Sequence, residues 1–334
     1  MNGRATIVIP HWNRRELLTS LLEKLRLQTE TAAEIIVVDN GSTDGSAVAA
    51  ESLGARVMRL KRNEGFAHAV NLGIVAAKTE WVAVINNDVE PEPEWLERLL
   101  KAAVAENAWF ATGKICKRGS ADTIDGTFDL ISRGACAWRA GEGSPDGAAW
   151  AIPRRIRIVP FTAAVFRADL FAELGGLDEE FGSYLEDVDF GIRCALANRD
   201  GVYVPEARAL HQASATLGAW TPEMVRLISR NQLLLVAKHY PKHWLRQYGW
   251  PVAAGQLLWG LMAISRGCGV AFFQGKRDAL RVFKTLAEPR PPVSDPAALS
   301  RLLHESEAEI LRLQALIGFN RYWRCYFALT GKWK

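Results

Sequence analysis

The residues best suited to chemistry in this chain are a few carboxylates, amides and one histidine, each set where an apolar run ends. Trp81-Val82-Ala83-Val84-Ile85 stops abruptly at Asn86-Asn87-Asp88. Such a run reads as a strand buried on both faces. It delivers its last polar side chains to the C-terminal edge of a sheet, where open α/β sheets bind ligands. A carboxylate there can hold a divalent cation, and the cation a diphosphate; a plain strand-end turn is the competing reading. Asp39 ends a second apolar run, residues 34–38, and could accept from a nucleobase N–H or a ribose hydroxyl, or cap its own turn. Gly65, flanked by Asn63 and Asn71, precedes a helix expected over 66–77, so backbone N–H groups there could meet an anion or simply be capped. Glu186-Asp187-Val188-Asp189 places three carboxylates in four residues at a helix start. Crowding can raise one carboxyl's pKa until it serves as a general base, although acidic residues there also suit the helix dipole alone. His211, expected in a polar loop, becomes a ligand candidate only in company.

The elements that must position these groups follow from periodicity. Residues 5–9, 34–38, 55–60 and 81–85 read as strands. Leucines at 17, 18, 21, 22 and 25 give a helical stripe over 14–28, and further helices are expected through Leu53 and over 66–77 and 94–105. Strand and helix alternate at the spacing of right-handed βαβ units, so a Rossmann-like, mostly parallel sheet flanked by helices is expected. Residues 110–160 are Gly-rich and weakly periodic, with 154–158 alternating like a strand. A helix over 167–174 closes at Gly175-Gly176, another runs from Glu186 to Ala197, and a strand covers 201–205. From Pro222 onward the pattern is helical, which sets a domain boundary near residue 220.

Bulk composition narrows the class. The five cysteines are scattered without a Cys-x-x-Cys pair and read as reduced thiols. No leader peptide is evident, and the apolar segment 250–264 is short for a membrane span, so a cytoplasmic protein is expected. Residues 226–334 carry 17 Lys+Arg against 6 Asp+Glu, while the rest carries 24 against 31. An acidic part with catalytic residues joined to a basic, apolar-rich part points to an anionic surface as partner. The absence of Gly-x-Gly-x-x-Gly and Walker A motifs disfavours a dinucleotide dehydrogenase or P-loop ATPase. A nucleotidyltransferase would need a Gly-rich basic loop after the first strand, where this chain has Pro10-His11-Trp12-Asn13. A nucleic-acid-binding module could use the basic part, but the acidic cluster would repel phosphates, so no nucleic-acid partner is expected.

Taken in order, Val8-Ile9-Pro10-His11-Trp12-Asn13, Val37-Val38-Asp39-Asn40-Gly41-Ser42, Asn63-x-Gly65-Phe66 through Asn71, Asn86-Asn87-Asp88, Gly175-Gly176-Leu177-Asp178 and Glu186-Asp187-Val188-Asp189-Phe190 resemble glycosyltransferase family 2 over about residues 4–215. The resemblance implies a GT-A fold and an inverting, non-processive transferase using a nucleotide-sugar donor. Pro10, Asn13 and Asp39 would frame the nucleotide, with Asn63, Gly65 and Asn71 beside it. Asn86-Asn87-Asp88 falls at the family's Asp-x-Asp position, so Asp88, helped by His211, would contact Mg²⁺ or Mn²⁺. Two expected carboxylates are amides here, which weakens the metal assignment. Asp187 matches the catalytic base, with Glu186 and Asp189 toward the acceptor. Within the family, Asn-Asn-Asp-Val, the Glu-Asp-Val-Asp-Phe run and Arg230-Asn231-Gln232-Leu233-Leu234-Leu235 with Tyr240-Pro241 look most like bacterial rhamnosyltransferases of cell-surface polysaccharide assembly. Those use dTDP-β-L-rhamnose; a UDP-sugar donor is the alternative.

Residues 221–334 then read as a membrane-docking or dimerising appendage. Bulky apolar and basic residues interleave from Phe272 to Lys284, a Pro-rich linker spans 289–296, and an aromatic, basic tail runs over 319–327. A glycan or polyprenyl-diphosphate-linked acceptor on the inner face of the cytoplasmic membrane would fit that surface.

Overall fold

The computed structural model describes residues 4–212, 220–287 and 296–331. The first third follows the expected alternation: β1 (Ala5–His11), α1 (Arg15–Arg26), β2 (Glu34–Asp39), α2 (Ser46–Ser52), β3 (Arg56–Arg59), α3 (Phe66–Ala76) and β4 (Trp81–Ile85). There follow β5 (Val89–Pro91), α4 (Trp95–Ala105), β6 (Phe110–Lys117), β7 (Ser120–Gly126), β8 (Asp129–Ile131), β9 (Ala137–Arg139), β10 (Arg154–Ile156), β11 (Ala163–Arg167), α5 (Ala168–Leu174), α6 (Glu186–Leu196) and β12 (Gly201–His211). The remainder is helical: α7 (Pro222–His239), α8 (Leu245–Ser265), α9 (Gly269–Ala287), α10 (Pro296–Ile317) and α11 (Arg321–Thr330).

Ten strands share one sheet in the order β10-β12-β6-β11-β4-β1-β2-β3, with β5 paired to β12 and β7 to β6. Pairing is parallel from β4 through β1 and β2 to β3, and between β12 and β6. It is antiparallel at β11, β10, β5 and β7. The architecture is that of a GT-A domain with a C-terminal helical extension. Ile7, Ile9 and Val37 pack with the α1 leucines and the α4 side chains Trp95, Leu96 and Leu99. The opposite faces, Ile36 and Val38, meet Ala69 of α3. Gly73 lets α3 approach, since a Cβ there would lie 2.2 Å from Val8.

Three parts differ from the pattern-based expectation. The middle region holds five strands, β6 to β10, where the pattern suggested one: β7 turns back on β6 as an irregular hairpin whose polar residues mask its alternation, and β6 also pairs with the distant β12. The strand begun at Gly201 does not stop at Pro205: a bulge between Val204 and Arg208 carries the proline out of the ladder, and pairing resumes with β6 as far as His211. Gly113 opposite makes room, as a Cβ there would collide with the Ala207 carbonyl. His211 is therefore the end of a strand, not part of a loop. In the tail, α11 is capped by Asn320, whose side chain accepts from Trp323 N at 2.9 Å. Its face of Trp323, Tyr326 and Phe327 is buried. Those rings cannot serve as a headgroup belt.

The chain forms two compact units: Met1–Phe128, Gly141–Cys194 and Asn198–Ala213 in one, and Asp129–Ala140, Ala195–Ala197 and Ser214–Lys334 in the other. In the second unit α7 packs along α9, where Gly275 admits close approach because a Cβ would lie 2.2 Å from the Arg226 carbonyl. Val225, Trp259, Ala263 and Phe272 form its core. Buried Glu307 is paired with Arg133 at 2.7 Å and accepts from Tyr326 at 2.8 Å. The expected linker 289–296 lies outside the described residues except for Pro296, which begins α10.

Candidate functional site

Three loops at the C-terminal ends of β1, β2 and β4 are tied together by short polar side chains. Asn13 and Arg14 both adopt positive φ. Asn13 is held on each side: its backbone N–H donates to Ser42 Oγ at 2.8 Å, and its side-chain Oδ1 accepts from Thr43 N at 3.1 Å. Asp39, 4 % exposed, accepts from Ser42 N at 3.0 Å. Pro10 is buried within β1, opposite Val38.

Asn40, which the sequence did not single out, staples the loop before α3. Its amide donates to Asn63 Oδ1 at 3.1 Å and to the Gly65 carbonyl at 3.0 Å, and its oxygen accepts from Glu64 N at 2.8 Å. Asn63 in turn accepts from Gly65 N at 2.9 Å. Gly41 (φ +80) must be glycine for this loop to seat, since a Cβ would lie 2.6 Å from Arg62 Cα. Asn71 is engaged elsewhere: it accepts from Leu177 N and donates to Leu177 O and Glu179. The structure thus gives Asn71 the task of holding the 175–179 turn, with no free amide to line a nucleotide.

At the end of β4, Asn86 N is fixed by the Thr162 carbonyl and Asn87 donates to His11 Nδ1 at 2.8 Å. Burial lowers the His11 pKa to about 4, against the pull of Asp39 and Asp44. The ring is therefore neutral at physiological pH, and with Nδ1 accepting, its proton sits on Nε2. That Nε2 and Asn86 Oδ1 are buried with no protein partner among the described residues. Buried polar atoms in native proteins bond to water or ligand when no protein group meets them.

Asp88 and His211 are brought together by β5, which pairs antiparallel with β12 so that Val89 faces His211, while Gln212 N donates to the Asp88 carbonyl at 3.0 Å. Their side chains meet at 3.1 Å, Asp88 Oδ1 to His211 Nε2. Asp125 on β7 holds the other ring nitrogen at 2.7 Å. Burial opposes charge on His211, but hydrogen bonds to Asp125 and Asp88 outweigh it and raise the pKa to about 9. Without a cation the cluster is an imidazolium between two carboxylates. Asp88 and His211 are the residues that would hold a divalent cation here, with Asp125 orienting the ring from behind. Among the described residues no three His, Cys, Asp or Glu side chains form a metal cluster. A cation here would take two protein ligands and complete its shell with diphosphate and water, as Mg²⁺ commonly does.

The carboxylates of α6 divide. Asp187, 9 % exposed, has one oxygen on Val188 N at 2.8 Å, and Glu186 is 6 % exposed. Asp189 is fully buried and paired with Arg193 at 3.0 Å, and that guanidinium also donates to the carbonyls of Leu174 and Gly176. Asp189 therefore ties α6 to the end of α5 and does not face an acceptor. The loop delivering Asp187 is strained, with Tyr184 (φ +69) and Leu185 (φ +67) both left-handed, a conformation that persists where surrounding contacts enforce it. It is joined to the nucleotide-side loop, because Ala67 N at the start of α3 donates to the Gly182 carbonyl at 3.1 Å.

Residues 6–175 match the model for Glycosyl transferase family 2. The chain is similar to the N-acetylglucosaminyl-diphospho-decaprenol L-rhamnosyltransferase of Mycobacterium tuberculosis, 28 % identical over 70 % of this chain and 84 % of that protein. It is 29 % identical to the pre-mycofactocin glycosyltransferase of the same species, over 82 % of this chain and 57 % of that one. In fold it resembles GalNAc-T7 solved with UDP, GalNAc and Mn²⁺ (TM-score 0.60, 14 % identity, 87 % of this chain and 59 % of that one). It also resembles the mannosyltransferase PcManGT of Pyrobaculum calidifontis solved with GDP-Man and Mn²⁺ (TM-score 0.54, 16 % identity, 99 % and 87 %). A match over half the chain, carrying the strand-end residues of β1, β2 and β4, shows that the chain belongs to glycosyltransferase family 2.

Proposed function

We propose that the chain is a non-processive rhamnosyltransferase of cell-surface polysaccharide assembly, moving L-rhamnose from dTDP-β-L-rhamnose to a hydroxyl of a lipid-linked glycan. The observation that carries the donor site is the convergence of Asp88, His211 and Asp125 at the edge of the sheet, beside the clasped β1, β2 and α3 loops. Rhamnose as the sugar is supported by similarity to the mycobacterial L-rhamnosyltransferase over most of both chains.

In this reading Asp39 and Asn13 sit at the nucleoside end, and the loop of Asn63 and Gly65 borders the diphosphate. A divalent cation held by Asp88 and His211 would offset the charge that builds on the departing diphosphate. Asp187 takes the proton from the acceptor hydroxyl, whose oxygen attacks the anomeric carbon opposite the leaving group. One base and one displacement invert the configuration, turning a β-linked donor into an α-linked product. The catalytic domain is the unit of residues 1–128, 141–194 and 198–213, so the boundary expected near residue 220 leaves out that residues 129–140 belong with the later helices. Residues 221–334 bring the chain to the inner face of the cytoplasmic membrane, where a polyprenyl-diphosphate-linked acceptor is found; no helix among the described residues is long and apolar enough to cross a membrane.

A thermal-shift panel of nucleotide sugars tests the donor, because the ligand bound tightest by the folded state raises Tm most at equal concentration. dTDP-β-L-rhamnose is expected to lead. A larger shift from a UDP- or GDP-sugar would reassign the donor.

A further inference from the structure

Helix α8 is apolar on all sides yet only one side is covered. Tyr248, Ala254 and Ala263 are buried, whereas Leu257, Leu261 and Ile264 stand 57 %, 54 % and 53 % exposed. Spacings of four and three place those three on one stripe. A helix apolar all round belongs in a core or an apolar medium, and soluble surfaces rarely leave such patches bare. Helix α9 extends the patch with Val270, Phe273 and Leu280, 73 %, 63 % and 67 % exposed. Arg277 and Arg281 fall on that same stripe, their side chains 64 % and 68 % exposed; both lie near Asp278, at 3.9 and 3.6 Å, but that one carboxylate is already held by Arg226 at 2.7 Å, so the stripe keeps a positive balance.

Between the helices runs a groove of about 370 Å³ whose walls include Leu257, Leu261, Phe273 and Leu280. Lys276 lies in it, but its ammonium is turned to the Ser229 carbonyl and the side-chain oxygens of Gln232 and Gln256, so the rest of the groove is hydrocarbon. Residues 245–287 carry six Lys+Arg against the single Asp278.

We infer that the outer face of α8 and α9 is the surface that seats on an anionic lipid leaflet. Its leucines, Ile264, Val270 and Phe273 enter the acyl boundary, the groove takes lipid chains, and Arg277 and Arg281 meet headgroup phosphates. Charge selects this occupant over a second copy of the chain: an isologous interface centred on the α9 stripe would set Arg277 and Arg281 against their own counterparts. The inference rests on the membrane reading above and assigns it to one face, excluding the buried aromatic side of α11.

The test is flotation of the full chain, without donor or acceptor, on phosphatidylcholine vesicles and on vesicles of phosphatidylcholine and phosphatidylglycerol in equal parts. The wild type should float with the anionic vesicles and not with the neutral ones. Phe273→Gln with Leu280→Gln should cut partitioning about tenfold or more. Arg277→Ala with Arg281→Ala should cut it about fivefold per arginine. These side chains are exposed, so Tm should hold in both variants, and sugar transfer to a soluble acceptor should be unchanged. Flotation that is equal on neutral vesicles, or unaffected by both variants, overturns the inference. So does a dimer that Phe273→Gln with Leu280→Gln dissociates while the wild type ignores vesicles. Because binding is read without sugar nucleotide, its failure is distinct from failure of the donor assignment.

Discussion

Asp88 and His211 are 123 residues apart in the chain and 3.1 Å apart at the edge of the sheet. The three-residue β5 produces that meeting, and Asp125 fixes the histidine from behind at 2.7 Å. The relation holds a protonated His211 between two carboxylates; a divalent cation held by Asp88 and His211 would have to displace the proton on Nε2.

Asp125→Asn weakens the acceptor that orients the ring while leaving Asp88 and His211 in place. Mn²⁺ affinity, followed by electron paramagnetic resonance in the presence of dTDP, should fall about 10- to 100-fold, the usual range for loss of such an orienting partner. Unchanged affinity would remove Asp125 from the site.

The two buried histidines give opposite pH limbs to the metal-free protein. His211 has its pKa raised to about 9, so its contribution is fully present below the unfolded value near 6.5 and is lost as pH climbs through 9. His11 has its pKa lowered to about 4, so the penalty for protonating it is absent above about 6.5 and grows as pH falls toward 4. Denaturant unfolding in EDTA should therefore lose its alkaline limb in His211→Gln and part of its acid limb in His11→Asn. An alkaline limb that survives in His211→Gln would refute the clamped imidazolium.

Asn40→Ala deletes three hydrogen bonds at a side chain only 5 % exposed. Unfolding should cost about 1–3 kcal/mol less. Because the loop it staples borders the donor, KM for the sugar nucleotide should rise more than kcat falls. A stability loss with unchanged KM would mean that the loop does not touch the donor.

The parallel half of the sheet was legible because each of β1, β2 and β4 is a short apolar run and α1 between the first two carries a leucine stripe. The strand-end residues Asp39 and Asp88 could be read for the same reason. β6 and β7 could not: Lys114 sits 5 % exposed within β6 only because Asp146 neutralises it at 2.7 Å, a pairing with no local signature. Asp125 was hidden in the polar stretch Ser-Ala-Asp-Thr-Ile-Asp-Gly, and its role exists only once β7 lies beside the end of β12. β12 itself was cut short by Pro205, since nothing in the sequence marks the bulge that bypasses it. Asn71 and Asp189 carry the right side chains at motif positions, yet Asn71 hydrogen-bonds to Leu177 and Glu179, and Asp189 pairs with Arg193, which itself binds the carbonyls of Leu174 and Gly176. Motif position alone cannot reveal that use.

Asp187→Asn tests whether Asp187 is the base of a displacement at the donor's anomeric carbon. Transfer kinetics and donor binding by calorimetry should be measured on the same preparation. With Asp187 as the base, kcat should fall about 10²–10⁴-fold with Kd for the sugar nucleotide essentially unchanged. A variant that transfers sugar at near-normal kcat would contradict it.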